Sequence, residues 1–262
     1  MKKTLGLFLL GLFGLSLTGC SSGMDVYADA DKYIAGNQTY NESITSLDVD
    51  WVSGSLTLVE DVTVEGVKIE EDTNLTKEQE LVHSYLNNGE LKIKYFASGY
   101  AKTGFSKIIK NLTVTYNPGL SSIGIDITSG KLNAETMTAE KVDIDMTSGS
   151  ANIGVIVAKD VNIDMTSGSM TINHVAATNF DADFTSGDIK VGFDSIENAS
   201  FDLTSGTIDM TLPLAGGEVK VSKTSGSVTT NRECSVSNNT YKFGDGGSKV
   251  KVSMTSGKLI IG

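Results

Sequence analysis

Seven Thr-Ser-Gly tripeptides lie in the second half of the chain, and the first five recur at a fixed interval of nineteen residues. The sixth follows after twenty residues and the seventh after a further thirty-one. They begin at Thr128, Thr147, Thr166, Thr185, Thr204, Thr224 and Thr255. A fixed period of this size is typical of one structural unit stacked on itself, so the period constrains the fold more than any other feature does.

The residues before each tripeptide alternate between apolar and polar, as in 142–146 and 161–165. This alternation predicts a half-buried strand, and a second short strand follows each glycine, as in 150–153. Glycine allows the chain to turn between the two strands without a Cβ penalty. The inward residues of successive units are expected to form two columns: Ile144, Ile163, Ala182 and Phe201, and Met146, Met165, Phe184 and Leu203.

Such short strands cannot bury a face alone, but stacked coils can hydrogen-bond to one another about 4.8 Å apart. We therefore predict an all-β fold, a single-stranded parallel β-solenoid (β-helix) with coils of about nineteen residues. A β-sandwich would not explain the fixed period. The solenoid domain is expected to cover 43–262, with an irregular part at 43–120 and the regular repeats and end unit at 121–262.

The irregular parts contain recognisable local signals. Residues 80–95 are predicted to form a hairpin around Asn87-Asn88-Gly89, and 112–117 another strand that ends at a proline. Residues 234–247 lengthen the last interval and are expected to form a projecting loop or hairpin. Irregular end units are expected, because a solenoid must cover its open ends.

The first twenty residues predict the compartment. Two lysines precede an apolar run from Leu5 to about Leu17, which is too short to span a bilayer and typical of a signal peptide. The quartet 17–20 resembles the bacterial lipobox, so we expect cleavage after residue 19 and lipidation of Cys20, with an ordinary cleaved signal peptide as the alternative. Residues 20–42 are then a lipidated N-terminus and tether, and the domain is extracytoplasmic, held at the bacterial cell membrane by two acyl chains such as palmitate.

Composition narrows the possible partners. The formal net charge is −11, and removing Lys2 and Lys3 with the leader leaves 19 basic and 32 acidic residues, a net charge of −13. Nucleic acid is therefore excluded as a partner, because its binding requires a basic surface. Arg232 is the single arginine, which makes bidentate capture of phosphate scarce. Cys234 is expected to be a buried or half-buried thiol without a catalytic role.

Aspartates recur at the position two before the threonine in the first five tripeptides. Asp126, Asp145, Asp164, Asp183 and Asp202 should stack as a carboxylate ladder, which could recruit Ca²⁺. The favoured interpretation is a solvated face, so we predict no metal site, no cofactor and no catalytic residues. The threonines and serines could form hydroxyl ladders with a structural role.

Isolated residues give weaker signals. His83 and His174 lack an obvious partner for a triad or a zinc site and are expected on the surface or in strands. Trp51 is expected in the core, in preference to a platform that stacks on a sugar. Parallel β-helices can host polysaccharide lyases, but here the acids form a ladder and do not cluster locally, so catalysis is not expected.

Particular segments also resemble a known family, the putative-adhesin, β-strand-repeat proteins of the bacterial envelope, of the toast-rack type. The resemblance covers roughly 43–262. It rests on the segments 50–55, 91–93 leading to 98–99, 112–115, the serial Ser-Gly strands, and 243–246 before 249–252. It implies an extended β-solenoid, an extracytoplasmic role and no established enzymatic activity, and it assigns no functional residue.

Together these observations predict a membrane-anchored surface lipoprotein that acts as a non-catalytic binding or adhesion module. Its expected partners are the membrane, through the lipid anchor, and an envelope protein or glycan. An accessory protein in envelope stress or signalling is the first alternative. A purely structural spacer lipoprotein is the second.

Overall fold

The structure is a computed structural model that describes residues 26–102, 104 and 107–262. These residues form sixteen strands and two short 3₁₀ helices, Ala30–Lys32 and Glu78–Glu80. The strands are β1 Ile34–Ala35, β2 Gln38–Tyr40, β3 Ser46–Glu60, β4 Val67–Thr73, β5 His83–Asn87, β6 Glu90–Lys94, β7 Lys110–Tyr116, β8 Leu120–Val157, β9 Asp160–Met165, β10 Ser169–Thr211, β11 Gly216–Lys223, β12 Ser227–Thr230, β13 Ser235–Ser237, β14 Thr240–Gly244, β15 Ser248–Met254 and β16 Lys258–Ile261.

The middle of the molecule is a parallel β-solenoid, as predicted. Strand β9 pairs in parallel with β8 on one side and β10 on the other, always with an offset of nineteen residues. Strands β8 and β10 are long because each continues around several corners. Both predicted inward columns are buried, and Ile144, Ile163 and Phe201 are at most 1% exposed. Burial of apolar side chains in every coil stabilises the stack.

The Thr-Ser-Gly tripeptides form corners, and their glycines have two separate requirements. Gly187 adopts φ 139°, a conformation that L side chains rarely take. A Cβ at Gly187 would also lie 2.6 Å from the carbonyl oxygen of Gly168 in the preceding coil. Serine hydroxyls tie corners together: Ser148 Oγ donates to the Thr128 carbonyl and Ser167 Oγ to the Thr147 carbonyl, both at 3.1 Å.

Both ends of the solenoid depart from chain order. At the N-terminal end, β3 lies between the later strands β6 and β7 on one side and β8 on the other. At the C-terminal end, β15 and β16 insert between β10 and the earlier strands β11 and β12. The coil with Thr255 therefore stacks on the coil with Thr204, and the coil with Thr224 lies outermost. The last two coils are therefore stacked in the reverse of their order in the chain, which the sequence of the repeats does not reveal.

Antiparallel strands cover the N-terminal end. Strands β5 and β6 form the predicted hairpin, with Asn88 at φ 51° and Gly89 at φ 84° in the turn, and β4 pairs antiparallel with β7. Strands β1 and β2 add to β5 and β4. Residues 34–40, which sequence analysis assigns to the tether, therefore belong to the folded end, because their backbone groups complete these edges.

A second antiparallel unit covers the C-terminal end. Strands β13 and β14 form a hairpin with Asn238 and Asn239 at φ 48° and 59°. The prediction of a hairpin at 234–247 is confirmed, but it does not project from the solenoid, since β14 pairs along the outer edge of β11. Cys234 is half-buried and packs against the core, in line with its expected place.

A charged pair is buried beneath the N-terminal cap. The side chains of Lys110 and Glu71 form an ion pair in which they are 0% and 2% exposed. Lys110 Nζ also donates to the Glu80 carbonyl at 2.8 Å and lies 5.4 Å from the ring of Trp51 and 4.8 Å from that of Tyr95. Burial lowers the pKa of Lys110, and Glu71 opposes this shift. This end thus contains a buried ion pair, whereas the ion pairs of the described middle coils are exposed or half-exposed.

Candidate functional site

One face of the solenoid carries an uninterrupted column of aspartates. Asp164 is in register with Asp145 in β8 and with Asp183 in β10. The five predicted members, Asp126, Asp145, Asp164, Asp183 and Asp202, all lie in exposed positions along one groove. Asp50 in β3 pairs with Asp126 and extends the column by one coil. Asp50 is not marked by the Thr-Ser-Gly repeat, because Val52 replaces the threonine, but it stands four residues before Gly54, as Asp126 does before Gly130.

Threonines form the opposite wall of this groove. In each coil the aspartate and the threonine flank one buried apolar residue, as Asp145 and Thr147 flank Met146, because alternate residues of a strand point to the same side. The groove has a volume of about 680 Å³ and extends from the coil of Asp126 to that of Ser222. Within the described residues, the hydroxyls of the corner threonines form no intramolecular hydrogen bond, so they are available to a ligand.

The stacking of carboxylates changes their acidity. Partial burial raises the pKa of Asp145 to about 6, and the neighbouring charges of Asp126 and Asp164 add to this shift through repulsion and shared hydrogen bonds. Burial likewise raises the pKa of Asp183, assisted by Asp202 and Asp164. Asp145 therefore holds a proton below about pH 6, and the negative charge of the column increases as the pH rises through that value.

A match to a family model covers residues 38–261. The chain belongs to the Toastrack DUF4097 family. This confirms the family resemblance and the β-solenoid prediction, and the family is not one of known enzymes. No curated protein matches the chain.

The Toastrack chain is also similar to several solved structures. A putative cell adhesion protein from Clostridium sporogenes ATCC 15579 is 14% identical, with 88% of this chain and 99% of that one covered at a TM-score of 0.40. A putative adhesin from Bacteroides fragilis NCTC 9343 is 11% identical, with 88% and 97% covered at 0.42. A putative adhesin from Parabacteroides distasonis ATCC 8503 is 16% identical, with 88% and 97% covered at 0.40.

A cluster of three aspartates lies where the aspartate column continues past the N-terminal end of the Toastrack groove. One carboxylate oxygen from each of Asp48, Asp50 and Asp126 lies within 4.8 Å of the others. Such oxygens suit Ca²⁺, but the Lys94 ammonium forms an ion pair with Asp50 and supplies positive charge at this point. Burial raises the pKa of Asp48, and Lys94 opposes the shift. Lys94 therefore competes with any cation at this end of the column.

The other candidate residues lie away from the groove or have structural partners. Trp51 is 1% exposed, as its predicted core position requires, with its ring centroid 4.7 Å from that of Tyr95. His83 is in a strand but buried, with Nδ1 2.9 Å from the Leu81 carbonyl oxygen. His174 has a partner that the sequence did not reveal, since its Nδ1 lies 3.0 Å from Asp194 Oδ1 at an exposed site.

Two further predictions concern the arginine and the anchor. The Arg232 guanidinium donates to the carbonyl oxygens of Pro213 and Leu214 at 3.2 Å, so its donors support a turn. Cys20 lies outside the described residues. Within the described residues no helix is long and apolar enough to cross a membrane.

Proposed function

We propose that this protein is a membrane-anchored, extracytoplasmic lipoprotein that binds an envelope protein or glycan without catalysis. The observation that carries the proposal is the groove of about 680 Å³ between the aspartate and threonine columns. The groove repeats one carboxylate and one threonine hydroxyl at the five coils from Asp126 to Asp202, which is the arrangement expected of a surface for extended ligands. The kinship with adhesin-type Toastrack proteins supports a binding role.

The groove favours an extended ligand that carries positive charge and hydrogen-bonding groups. Each of these five coils offers one carboxylate acceptor and one threonine hydroxyl, at the strand spacing of about 4.8 Å. A single contact of this kind is weak in water, but contacts along several coils add through avidity. The same acidic column repels nucleic acid, in agreement with the net charge of the chain.

Lipidation of Cys20 would place the N-terminal end of the solenoid next to the membrane. The backbone N–H of Tyr27 donates to Ser98 Oγ at 3.0 Å, which fixes the chain to the N-terminal end from this point. Five residues lie between Cys20 and Val26, so the two are at most about 20 Å apart when this segment is extended. The groove would then start close to the lipid surface and lead away from it.

The binding test compares two triple variants that lose the same charge. Asp145→Asn, Asp164→Asn and Asp183→Asn neutralise the groove, whereas D188N, E197Q and D209N neutralise three acids elsewhere on the solenoid. Immobilised full-length wild type is expected to retain a partner from solubilised envelopes. The groove variant should retain at least tenfold less of this partner, whereas the control variant should retain as much as the wild type. Equal capture by both variants, or no capture by the wild type, would contradict the proposal.

The anchor is tested separately. We expect wild-type protein to incorporate labelled palmitate and to sediment with membranes, because two acyl chains give stable attachment. The Cys20→Ser variant should do neither, while Cys234→Ser should behave as the wild type. Membrane attachment of the Cys20→Ser variant would show that another feature holds the protein.

A further inference from the structure

Charge is segregated along the solenoid axis. Residues 120–211 contain fourteen acidic and four basic side chains, whereas 212–262 contain three acidic and seven basic ones. Because the last coils stack directly on the acidic ones, the sign of the surface changes within a few strands. The molecule therefore has an acidic middle and a basic C-terminal end on one continuous sheet.

The lysines of this end lie on the same face as the aspartates. Lys251 is in register with Ser200 of β10, and Lys220 is in register with Lys251. Two residues further along the strands, Ser253 is in register with Asp202. Lys220 and Lys251 are exposed and form no ion pair with any described residue. Two adjacent ammonium groups repel each other, so an anionic partner would stabilise them.

The arrangement of these charges is complementary to itself when the order of the coils is reversed. Consider a two-fold axis that runs parallel to the strands and lies between the coils of Ser200 and Lys251. In the second copy that it generates, each residue keeps its position along the strand direction, but the coils are stacked in the reverse order. This axis places Lys220 opposite Asp181 of the second copy and Lys251 opposite its Ser200. Asp202 of the second copy lies two residues further along the same strand. Lys242, in register with Glu218, comes opposite Asp160. No like charges meet among these positions.

We propose that two copies of this chain pack this face together in antiparallel orientation, with Lys220 and Lys251 of each copy paired to Asp181 and Asp202 of the other. A two-fold interface of this kind is closed, so it forms dimers and not filaments. About six coils overlap, over roughly 24 Å by 17 Å, or on the order of 400 Å² per copy. A stable interface buries about 800 Å² per partner, so this dimer is weak and depends on salt. It covers the groove from the coil of Asp164 to that of Ser222, so a second copy and a groove ligand exclude one another.

Sedimentation velocity of the purified full chain at low ionic strength tests the interface. The wild type is expected to show a concentration-dependent shift from monomer to dimer that disappears at about 0.5 M salt. K220E/K251E and D181K/D202K should each weaken dimerisation at least tenfold, because each places like charges opposite one another. The quadruple variant, which has the wild-type net charge, should dimerise again.

A matched control separates local pairing from net charge. K190E/K258E changes the net charge by the same amount as K220E/K251E but reverses lysines on strands beyond the Thr-Ser-Gly corner. It should dimerise as the wild type does. A wild type that stays monomeric at low salt, equal weakening by the two lysine variants, or a quadruple variant that stays monomeric would each overturn the proposal.

Discussion

The middle and the ends of the solenoid are built on different rules. In the middle, each coil follows the previous one in the chain and meets it at an offset of nineteen residues. At each end, the terminal coil of the chain is inserted between two others, so both its edges are paired. Local repetition is sufficient for the middle, whereas the ends require long-range contacts.

The exchange at the ends solves a problem that any solenoid has. A last coil with one open edge would expose unpaired backbone groups, which invite association with other strands. Insertion gives the chain terminus two neighbours, and β14 then pairs antiparallel with residues 216–220 of the outermost coil. The end coils therefore depend on one another, and the middle coils are closer to independent units.

The largest expected effect comes from removing the inserted coil. Truncation after Gly247 deletes the buried residues Val250, Val252, Met254, Leu259 and Ile261. At roughly 2 kcal/mol for each buried side chain, the loss is on the order of 10 kcal/mol, comparable with the stability of a whole domain. Circular dichroism and limited proteolysis should show loss of folded structure, with cleavage within 212–247.

Deletion of one full period provides the matched comparison. Removing 148–166 joins Thr147 to Ser167 and leaves the offset of every remaining coil unchanged. This variant lacks more residues than the truncation but should remain folded, with a modest decrease in Tm. If the truncation leaves Tm unchanged, the coil of Thr224 can replace the inserted coil, and the interdependence of the end coils is wrong.

The second effect concerns the ion pair under the N-terminal cap. Glu71→Gln leaves the Lys110 ammonium buried without its carboxylate, which costs about 3–5 kcal/mol. Asp143→Asn also neutralises an acid that is paired with a lysine, Lys141, but on the exposed middle face, and should cost less than about 1 kcal/mol. Urea denaturation measures both, and equal small losses would show that the buried pair contributes little.

A third effect tests the glycine column of the middle. Gly187→Ala adds a Cβ to a residue with φ 139°, which L side chains rarely adopt. The added Cβ would also lie 2.6 Å from the Gly168 carbonyl oxygen, so the variant combines backbone strain with a steric clash. We expect a loss of roughly 2–4 kcal/mol in the free energy of unfolding. Gly247→Ala, near the C-terminal end, meets no atom within 4 Å and should change stability by less than about 0.5 kcal/mol. A tolerated Gly187→Ala would contradict the close packing of corners.

The coils in the middle of the solenoid could be predicted from the sequence, whereas the arrangement of the ends could not. The period of nineteen and the alternation around Ile144 and Ile163 identify the coils, because every coil repeats the same local pattern. Nothing local distinguishes the coil of Thr224 from that of Thr255, so their exchanged order could not be found. The ion pair of Lys110 and Glu71 joins residues 39 positions apart and was missed for the same reason.

The candidate site was only partly predictable on similar grounds. Five members of the aspartate column follow from the repeat, and Asp50 was recoverable from its spacing to Gly54. The groove itself was not predicted, since alternation shows that Asp145 and Thr147 share a face but not that the face is concave. The ion pair that Lys94 makes with Asp50 forms because β6 pairs with the outer edge of β3. This pairing departs from chain order, so the repeat could not predict it.

The smallest expected effect is a difference in pH dependence between the two regions. Asp145 has a raised pKa of about 6, so the folded middle binds a proton that the unfolded chain releases near its ordinary value of 3.8. The stabilisation is present below pH 4 and is lost as the pH rises through 6. Hydrogen bonds from Lys102 and Tyr100 lower the pKa of Glu80 at the N-terminal end, where stability is instead lost on acidification.

Asp145→Asn and Glu80→Gln should therefore have opposite pH profiles. At pH 7, D145N removes a repelled charge and should stabilise the fold by less than about 1 kcal/mol, because the group is exposed to solvent. This gain should vanish below pH 4, where wild-type Asp145 is protonated. E80Q should destabilise at pH 7, with the difference from wild type shrinking as acid protonates Glu80. Measuring Tm from pH 3 to 8 distinguishes the two variants. If both differ from the wild type in the same way across this range, the contrast between repelled carboxylates in the middle and paired carboxylates at the end is wrong.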